Sequence, residues 1–200
     1  MEICVNRRYI FPLKDAKNFC PASIKVARTI LNSSFPYKDK EKKIKEISAK
    51  DLSALIGMKG SKFLFNKNLE IKNELESMGN PDRFFKAVYY KNGVYTFYIT
   101  EAGELSGDTS KYHIHYDSSV WEGMDSSYSV LLYEKLKDLA ADEPEPVLTL
   151  KKEDLPQLKL TKIQDLYKTI KRAEEQISKT DLTITGVKMT DNQVEIRATI

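Results

Sequence analysis

The stretch TKIQDLYKTIKRAEEQI, residues 161–177, with LTITGVKM (182–189) and QVEIRATI (193–200) behind it, decides how this chain is read. Ile163, Leu166, Tyr167, Ile170, Ala173 and Ile177 recur at three, four and seven residues, which places them on one side of a helix. In the segments that follow, Leu182 and Ile184, then Val194, Ile196 and Ala198, alternate with polar residues. The Thr190-Asp191-Asn192 turn between them makes a two-stranded hairpin the expectation. A long helix closed by a hairpin forms the last part of a winged helix-turn-helix. It also ends many small α+β domains, so the earlier chain must supply the preceding helices before the fold is decided.

The 200 residues suffice for one medium domain or two small ones, and 41% hydrophobic with 30% charged residues is the composition of a folded, soluble chain. No run approaches a membrane span, and MEICVNRRYIF lacks the apolar core of a secretion signal. Cys4 and Cys20 are the only cysteines, so a reduced, cytoplasmic protein is expected, and two thiols are too few for a structural zinc site even with both histidines added. The net charge of +3 is unevenly spread: residues 1–120 hold 20 basic and 14 acidic groups, residues 121–200 hold 12 and 15. Any polyanion would therefore be drawn mainly by the first part.

Taken in order, MEICVNRRYIFPLKD reads as a short strand or an arm ended by Pro12. PASIKVARTILNSS is a helix with Pro21 at its start and Ile24, Val26, Ala27, Ile30 and Leu31 on its apolar side. Lys38, Lys40, Lys42, Lys43 and Lys45 form a basic, exposed segment, either a solvated loop or one that contacts phosphates. Ser48 caps the next helix with Asp51 in the capping-box position, and Leu52, Leu55 and Ile56 make its apolar face. Gly57 and Gly60 allow the tight connection of a helix-turn-helix. Ser61 then caps KFLFNKNLEIKNELESMG, which is expected to bury Phe63, Leu64, Leu69 or Ile71, and Leu75, and to show Lys62, Lys67 and Lys72 outside.

After Asn80 and Pro81, FFKAVYYKNGVYTFYITEAG holds two strands around Lys91-Asn92-Gly93, the strongest short hairpin signal. A polar ELSGDTS and a further strand in KYHIHYDSSVW follow. SSYSVLLYEKLKDLA, capped by Ser126 or Ser127, is helical again; VLTL is a short strand and KKEDLPQLKL a short helix or turn, before Thr161 caps the long helix. The fold class this order supports is α+β, with tandem winged helix-turn-helix domains. The first covers 1–123, with an N-terminal arm and an extra strand, and the second covers 124–200. One integrated α+β domain is the alternative.

SSYSVLLYEKLKDLA (126–140), LTLKKEDLPQL (148–158), EEQISKTDLTITGVKM (174–189) and NQVEIRATI (192–200) carry a more particular likeness. In order and spacing they resemble the second winged-helix domain of plasmid replication initiators of the iteron-binding class, best over residues 126–199. The first half shares only the architecture. The resemblance implies sequence-specific binding of duplex DNA at repeated origin sites and initiation of plasmid replication. Recognition helices at 61–78 and 161–177 would lie in successive major grooves. It implies contacts from Lys59, Lys62, Lys67 and Lys72 in the first helix and from Lys162, Lys168, Lys171 and Arg172 in the second. Lys91, Asn92 and Lys188 on the wings would meet the backbone or minor groove. Duplex DNA is the partner implied, and the family admits a second copy of the chain and host replication proteins; no membrane, cofactor or metal is expected. The second half is the more acidic, with Asp165 and Glu175 on its long helix, so DNA binding there rests on local clustering. Transcriptional regulation or protein interaction on the same fold is the alternative function.

A rival with chemistry begins at His113-Ile114-His115. Alternate strand positions face one way, as a metal polarising a scissile phosphate would require. Rolling-circle nicking enzymes use a motif of this form with a helical tyrosine nucleophile, a part Tyr128 or Tyr133 would take. Lys137 stands four residues after Tyr133, where that family has three, and Leu132 beside Tyr133 favours packing. No phosphate-binding glycine loop or nucleophile elbow is present, and no catalytic residue is assigned.

Overall fold

The computed structural model describes residues 1–58, 62–79, 82–108, 112–151 and 163–200. Its architecture is mixed α/β, and the chain separates into two compact units. One comprises Met1–Tyr9 and Ala22–Glu122, the other Ile10–Pro21 and Gly123–Ile200. The first contains β1 (Glu2–Asn6), α1 (Pro21–Leu31, from its second residue), β2 (Ile44–Ser48), α2 (Ala49–Leu55), α3 (Lys62–Asn66), α4 (Asn68–Ser77), β3 (Phe85–Lys91), β4 (Val94–Ile99), α5 (Glu101–Ser106) and β5 (His113–Asp117). The second contains α6 (Ser127–Ala140), β6 (Val147–Lys151), α7 (Ile163–Ile177), β7 (Thr183–Met189) and β8 (Gln193–Thr199).

In the first unit β2, β4 and β3 form an antiparallel sheet in that order. Tyr95, Phe97 and Ile99 alternate inward along β4, giving the buried face that fixes register. Asn92 and Gly93 join β3 to β4 with positive φ of 52° and 78°, the primed turn that an Asn-Gly pair favours. The register slips between Phe85 and Ala87, leaving Lys86 as the extra residue of a bulge. Ser48 caps α2 as expected: its Oγ accepts from the Asp51 N–H at 3.0 Å and donates to the Asp51 carboxylate at 2.6 Å.

Several expectations for this unit are corrected. The helix over 62–78 is two helices, broken at Lys67, where the Asn68 side-chain amide donates to the Phe65 carbonyl and competes with the helical ladder. Leu64, Ile71 and Leu75 face the core, whereas Phe63 and Leu69 stand outside it, as does Phe65. The sequence offers more apolar groups here than one helix face can bury. Lys45 is not exposed. It sits inward on β2, its Nζ donating to the carbonyls of Ile30 at 2.8 Å and Asn32 at 2.9 Å and lying 4.6 Å from the Tyr37 ring centroid. The stretch containing ELSGDTS opens with α5, which Thr100 caps by accepting from the Gly103 N–H at 3.1 Å. Gly103 conceals that helix from a sequence reading, yet it is required: a Cβ there would lie 2.3 Å from the Phe84 carbonyl oxygen.

The second unit repeats the plan. β6, β8 and β7 form an antiparallel sheet in which the third strand of the set again lies between the first and second. The register slips between Ile184 and Gly186, so a bulge occurs near the start of β7 just as it does in β3. Ser126 caps α6 by accepting from the Ser129 N–H at 3.0 Å. α7 buries Ile163, Leu166, Ile170, Ala173 and Ile177, the stripe its periodicity predicts, with Tyr167 half-buried at its margin. Residues 10–21 pack within this unit, where Phe11 and Phe19 lie 5.5 Å apart by ring centroid and the Ser127 hydroxyl donates to the Phe19 carbonyl at 2.5 Å. Gly60, Ser61, Asn80, Pro81, most of KKEDLPQLKL and Thr161 lie outside the described residues.

Candidate nucleic-acid interface

α7 carries the second set of candidate contacts because its apolar stripe fixes which side faces out. With Leu166, Ile170 and Ala173 inward, Gln164, Lys168 and Arg172, four residues apart, are exposed. Lys168 has no ion-pair partner among the described residues. Arg172 Nη2 reaches Asp125 Oδ2 at 3.1 Å, and Gln176 donates to the same carboxylate. The Gln176 hydrogen bond, followed by the Arg172 charge, holds the Asp125 carboxyl below its ordinary range. Lys171 pairs with Glu174 at 2.7 Å and lies 5.9 Å from the Tyr167 ring, and the bond to Glu174 raises its pKa. On the following hairpin Lys188 is exposed in β7, and it too has no ion-pair partner among the described residues.

The first set divides in the same way. Lys62, at the start of α3, and Lys91, at the end of β3, are exposed and unpaired among the described residues, and Asn92 stands at the hairpin tip. Lys67 is held by Glu70 at 2.5 Å. Lys72, half-buried, has Glu76 4.0 Å away and the Tyr89 ring centroid at 5.8 Å. Lys59 and Lys162 lie outside the described residues. The basic segment before β2 is largely neutralised within its own unit. Lys38 pairs with Glu46 at 2.6 Å, Lys42 with Asp39 at 3.6 Å and Lys43 with Glu104 at 2.5 Å.

Sequence reasoning missed the exposed aromatic and aliphatic surface of α3 and α4. Phe65 is 60% and Leu69 66% exposed, and the Phe65 ring meets Tyr90 edge-on at 6.3 Å. The signal was the surplus of apolar residues between Phe63 and Ile71. The exposed Gln164 of α7 is a further polar group on the Lys168 side, legible from its spacing of four.

The nicking-enzyme alternative is corrected at its nucleophile. Tyr133 has no exposed surface, and its hydroxyl donates to Asp181 Oδ1 at 2.7 Å while Lys137 Nζ holds Oδ2 at 2.7 Å. Burial, then the bond to Asp181 and its charge, raises the phenol's pKa, opposite to what a nucleophile needs. Tyr128 is also buried. Both tyrosines lie buried on α6. His113 and His115 do share one face of β5, with ring centroids 4.2 Å apart.

Comparison with known proteins finds no matching family model and no matching curated protein. Solved structures do match. The chain is similar to the Pi initiator protein, whose structure was determined in complex with iteron DNA. The TM-score is 0.67 and the identity 13%, over 100% of this chain and 97% of that one. It is also similar to domains 2 and 3 of RctB, with a TM-score of 0.56 and 10% identity over 93% of this chain and 81% of that one. At these identities the likeness establishes a common fold. Among the described residues, no helix is long and apolar enough to cross a membrane.

Proposed function

We propose that this chain is a sequence-specific duplex-DNA-binding protein that initiates replication at repeated origin sites, reading DNA with two winged helices. The two modules are taken as residues 1–123 and 124–200; the compact units divide the chain after Glu122 and group Ile10–Pro21 with the second. The observation that carries the reading is the repeated plan. Each unit has a helix, a strand, a helix leading into a hairpin, and a sheet whose third strand lies between the first two. The fold shared with an initiator seen on iteron DNA supports the same reading. In each unit an exposed lysine with no ion-pair partner among the described residues lies on the helix and another on the hairpin: Lys62 with Lys91, and Lys168 with Lys188.

On this reading α3 with α4, and α7, enter major grooves, and the hairpins lie along the backbone. Lys168 and Gln164 meet DNA directly. Lys171, Arg172, Lys67 and Lys72 exchange carboxylate partners for phosphates, which costs little at exposed ion pairs. Asn92 completes the first hairpin, and Lys59 and Lys162 are further candidate contacts. Host replication proteins and a second copy of the chain are the protein partners this role calls for. Selection from a random duplex library tests the proposal: enrichment of one short motif is expected, and no enrichment contradicts it. Transcription control or protein interaction is the second reading, favoured by the exposed Phe63, Phe65 and Leu69. It would gain if Phe65→Ser with Leu69→Ser abolished a cellular role while leaving the selected motif unchanged.

A further inference from the structure

β1 and β5, more than a hundred residues apart in sequence, pair antiparallel with Glu2 opposite Asp117, Cys4 opposite His115 and Asn6 opposite His113. Strand alternation sends Ile3, Val5, Ile114 and Tyr116 into the core and leaves Glu2, Cys4, His113 and His115 on the other face. There Cys4 Sγ lies 3.1 Å from His115 Nδ1, and Glu2 Oε1 lies 3.2 Å from the same nitrogen. Carboxylate, thiol and imidazole donors all fall within 4.8 Å of one another. The His113-Ile114-His115 spacing hints at a metal, but nothing in the sequence links either histidine to Cys4 or Glu2. Only the pairing of β1 with β5 brings the donors together.

We propose that Glu2, Cys4 and His115 form a binding site for a divalent transition ion of the zinc type. A tetrahedral zinc with bonds of roughly 2.0–2.3 Å sets its ligand atoms roughly 3.3–3.6 Å apart, close to the 3.1 Å and 3.2 Å that separate Cys4 Sγ and Glu2 Oε1 from His115 Nδ1. The ion takes the place now held by the shared hydrogen bonds at Nδ1. Cys4 gives up its Sγ proton to solvent and binds as thiolate, neutral His115 offers the Nδ1 lone pair, and Glu2 supplies a carboxylate oxygen. Water would fill the fourth position. Thiolate with imidazole selects zinc, cobalt or copper over magnesium and calcium, which require oxygen ligands. Access is open from one side, since the Glu2 and His115 side chains are 72% and 44% exposed. Burial and then the Glu2 charge raise the Cys4 pKa, so without metal the thiol stays protonated, and a bound cation reverses that balance. The ion would fasten β1 to β5 and does not depend on the DNA-binding reading.

Cobalt(II) titration of the untagged chain tests the site. One equivalent is expected to bind with a thiolate-to-cobalt charge-transfer band that zinc abolishes by displacement. Cys4→Ser should remove the band, Cys20→Ser should keep it, and His115→Gln should weaken binding at least tenfold, with circular dichroism unchanged in each. Zinc should raise the melting temperature of the wild type and leave that of Cys4→Ser unchanged. A wild type without the band, a band that survives Cys4→Ser, or one lost in Cys20→Ser would each overturn the proposal.

Discussion

The two units share strand order, bulge placement and a helix running into a hairpin, yet they turn different surfaces to solvent. α7 is one continuous helix with a polar outer side at Gln164, Lys168 and Arg172. Its counterpart is broken at Lys67 and exposes Phe63, Phe65 and Leu69. The charge totals point the other way, because the basic excess lies in residues 1–120. Much of that excess is answered locally by Glu46, Asp39, Glu104 and Glu70, and Lys45 is buried. Net charge along a sequence therefore does not show which cations lack carboxylate neighbours.

The comparison is sharpened first in the two cores. Ile71→Ala and Ile170→Ala each remove a side chain with no exposed surface from a helix that leads into a hairpin, and each should destabilise its unit by about 2–5 kcal/mol in denaturant unfolding. Leu69→Ala, at an exposed position, should change stability by less than about 0.5 kcal/mol, and a loss as large as that of Ile71→Ala would mean the helix phase is wrong.

Lys45 distinguishes the units through pH. Burial lowers its pKa to about 8 from an ordinary 10.5. Between those values the unfolded chain binds more protons than the folded one, so this group makes stability rise with pH, by up to about 3 kcal/mol. Below pH 8 both states hold the proton and the full burial penalty applies. Subtracting the pH profile of Lys45→Met from that of the wild type should isolate the rise; parallel profiles would show the ammonium to be solvated.

For DNA binding, Lys168→Ala should weaken binding of a selected duplex by about 1–3 kcal/mol. Lys67→Ala, which removes a lysine already held by Glu70, should cost less than Lys168→Ala. Equal losses would erase the distinction between paired and unpaired cations.

Legibility followed the range of the determining interactions. α7 and its hairpin could be read because one stripe of period 3.6 and two of period 2 are unbroken, and the Asn92-Gly93 turn because two residues set its backbone. The break at Lys67 turns on one side-chain hydrogen bond from Asn68, and α5 was hidden by Gly103, which is kept for close packing. The pairing of β1 with β5 has no local signature, so the Cys4–His115 neighbourhood could not be foreseen. Lys45 was misread because a run of lysines suggests solvent, while β2 alternates beneath it. The outward cations of α7 were legible once the stripe was known, but the pairing of Arg172 depended on Asp125, distant in sequence.

The central claim is that unpaired lysines on the helix and hairpin of the second unit hold duplex DNA. The salt dependence of binding, measured for the wild type and for Lys168→Ala with Lys188→Ala, tests it most directly. If both lysines contact phosphates, the slope of log affinity against log salt should become shallower by about 2 and affinity should fall at every salt concentration. An unchanged slope with unchanged affinity would contradict the account.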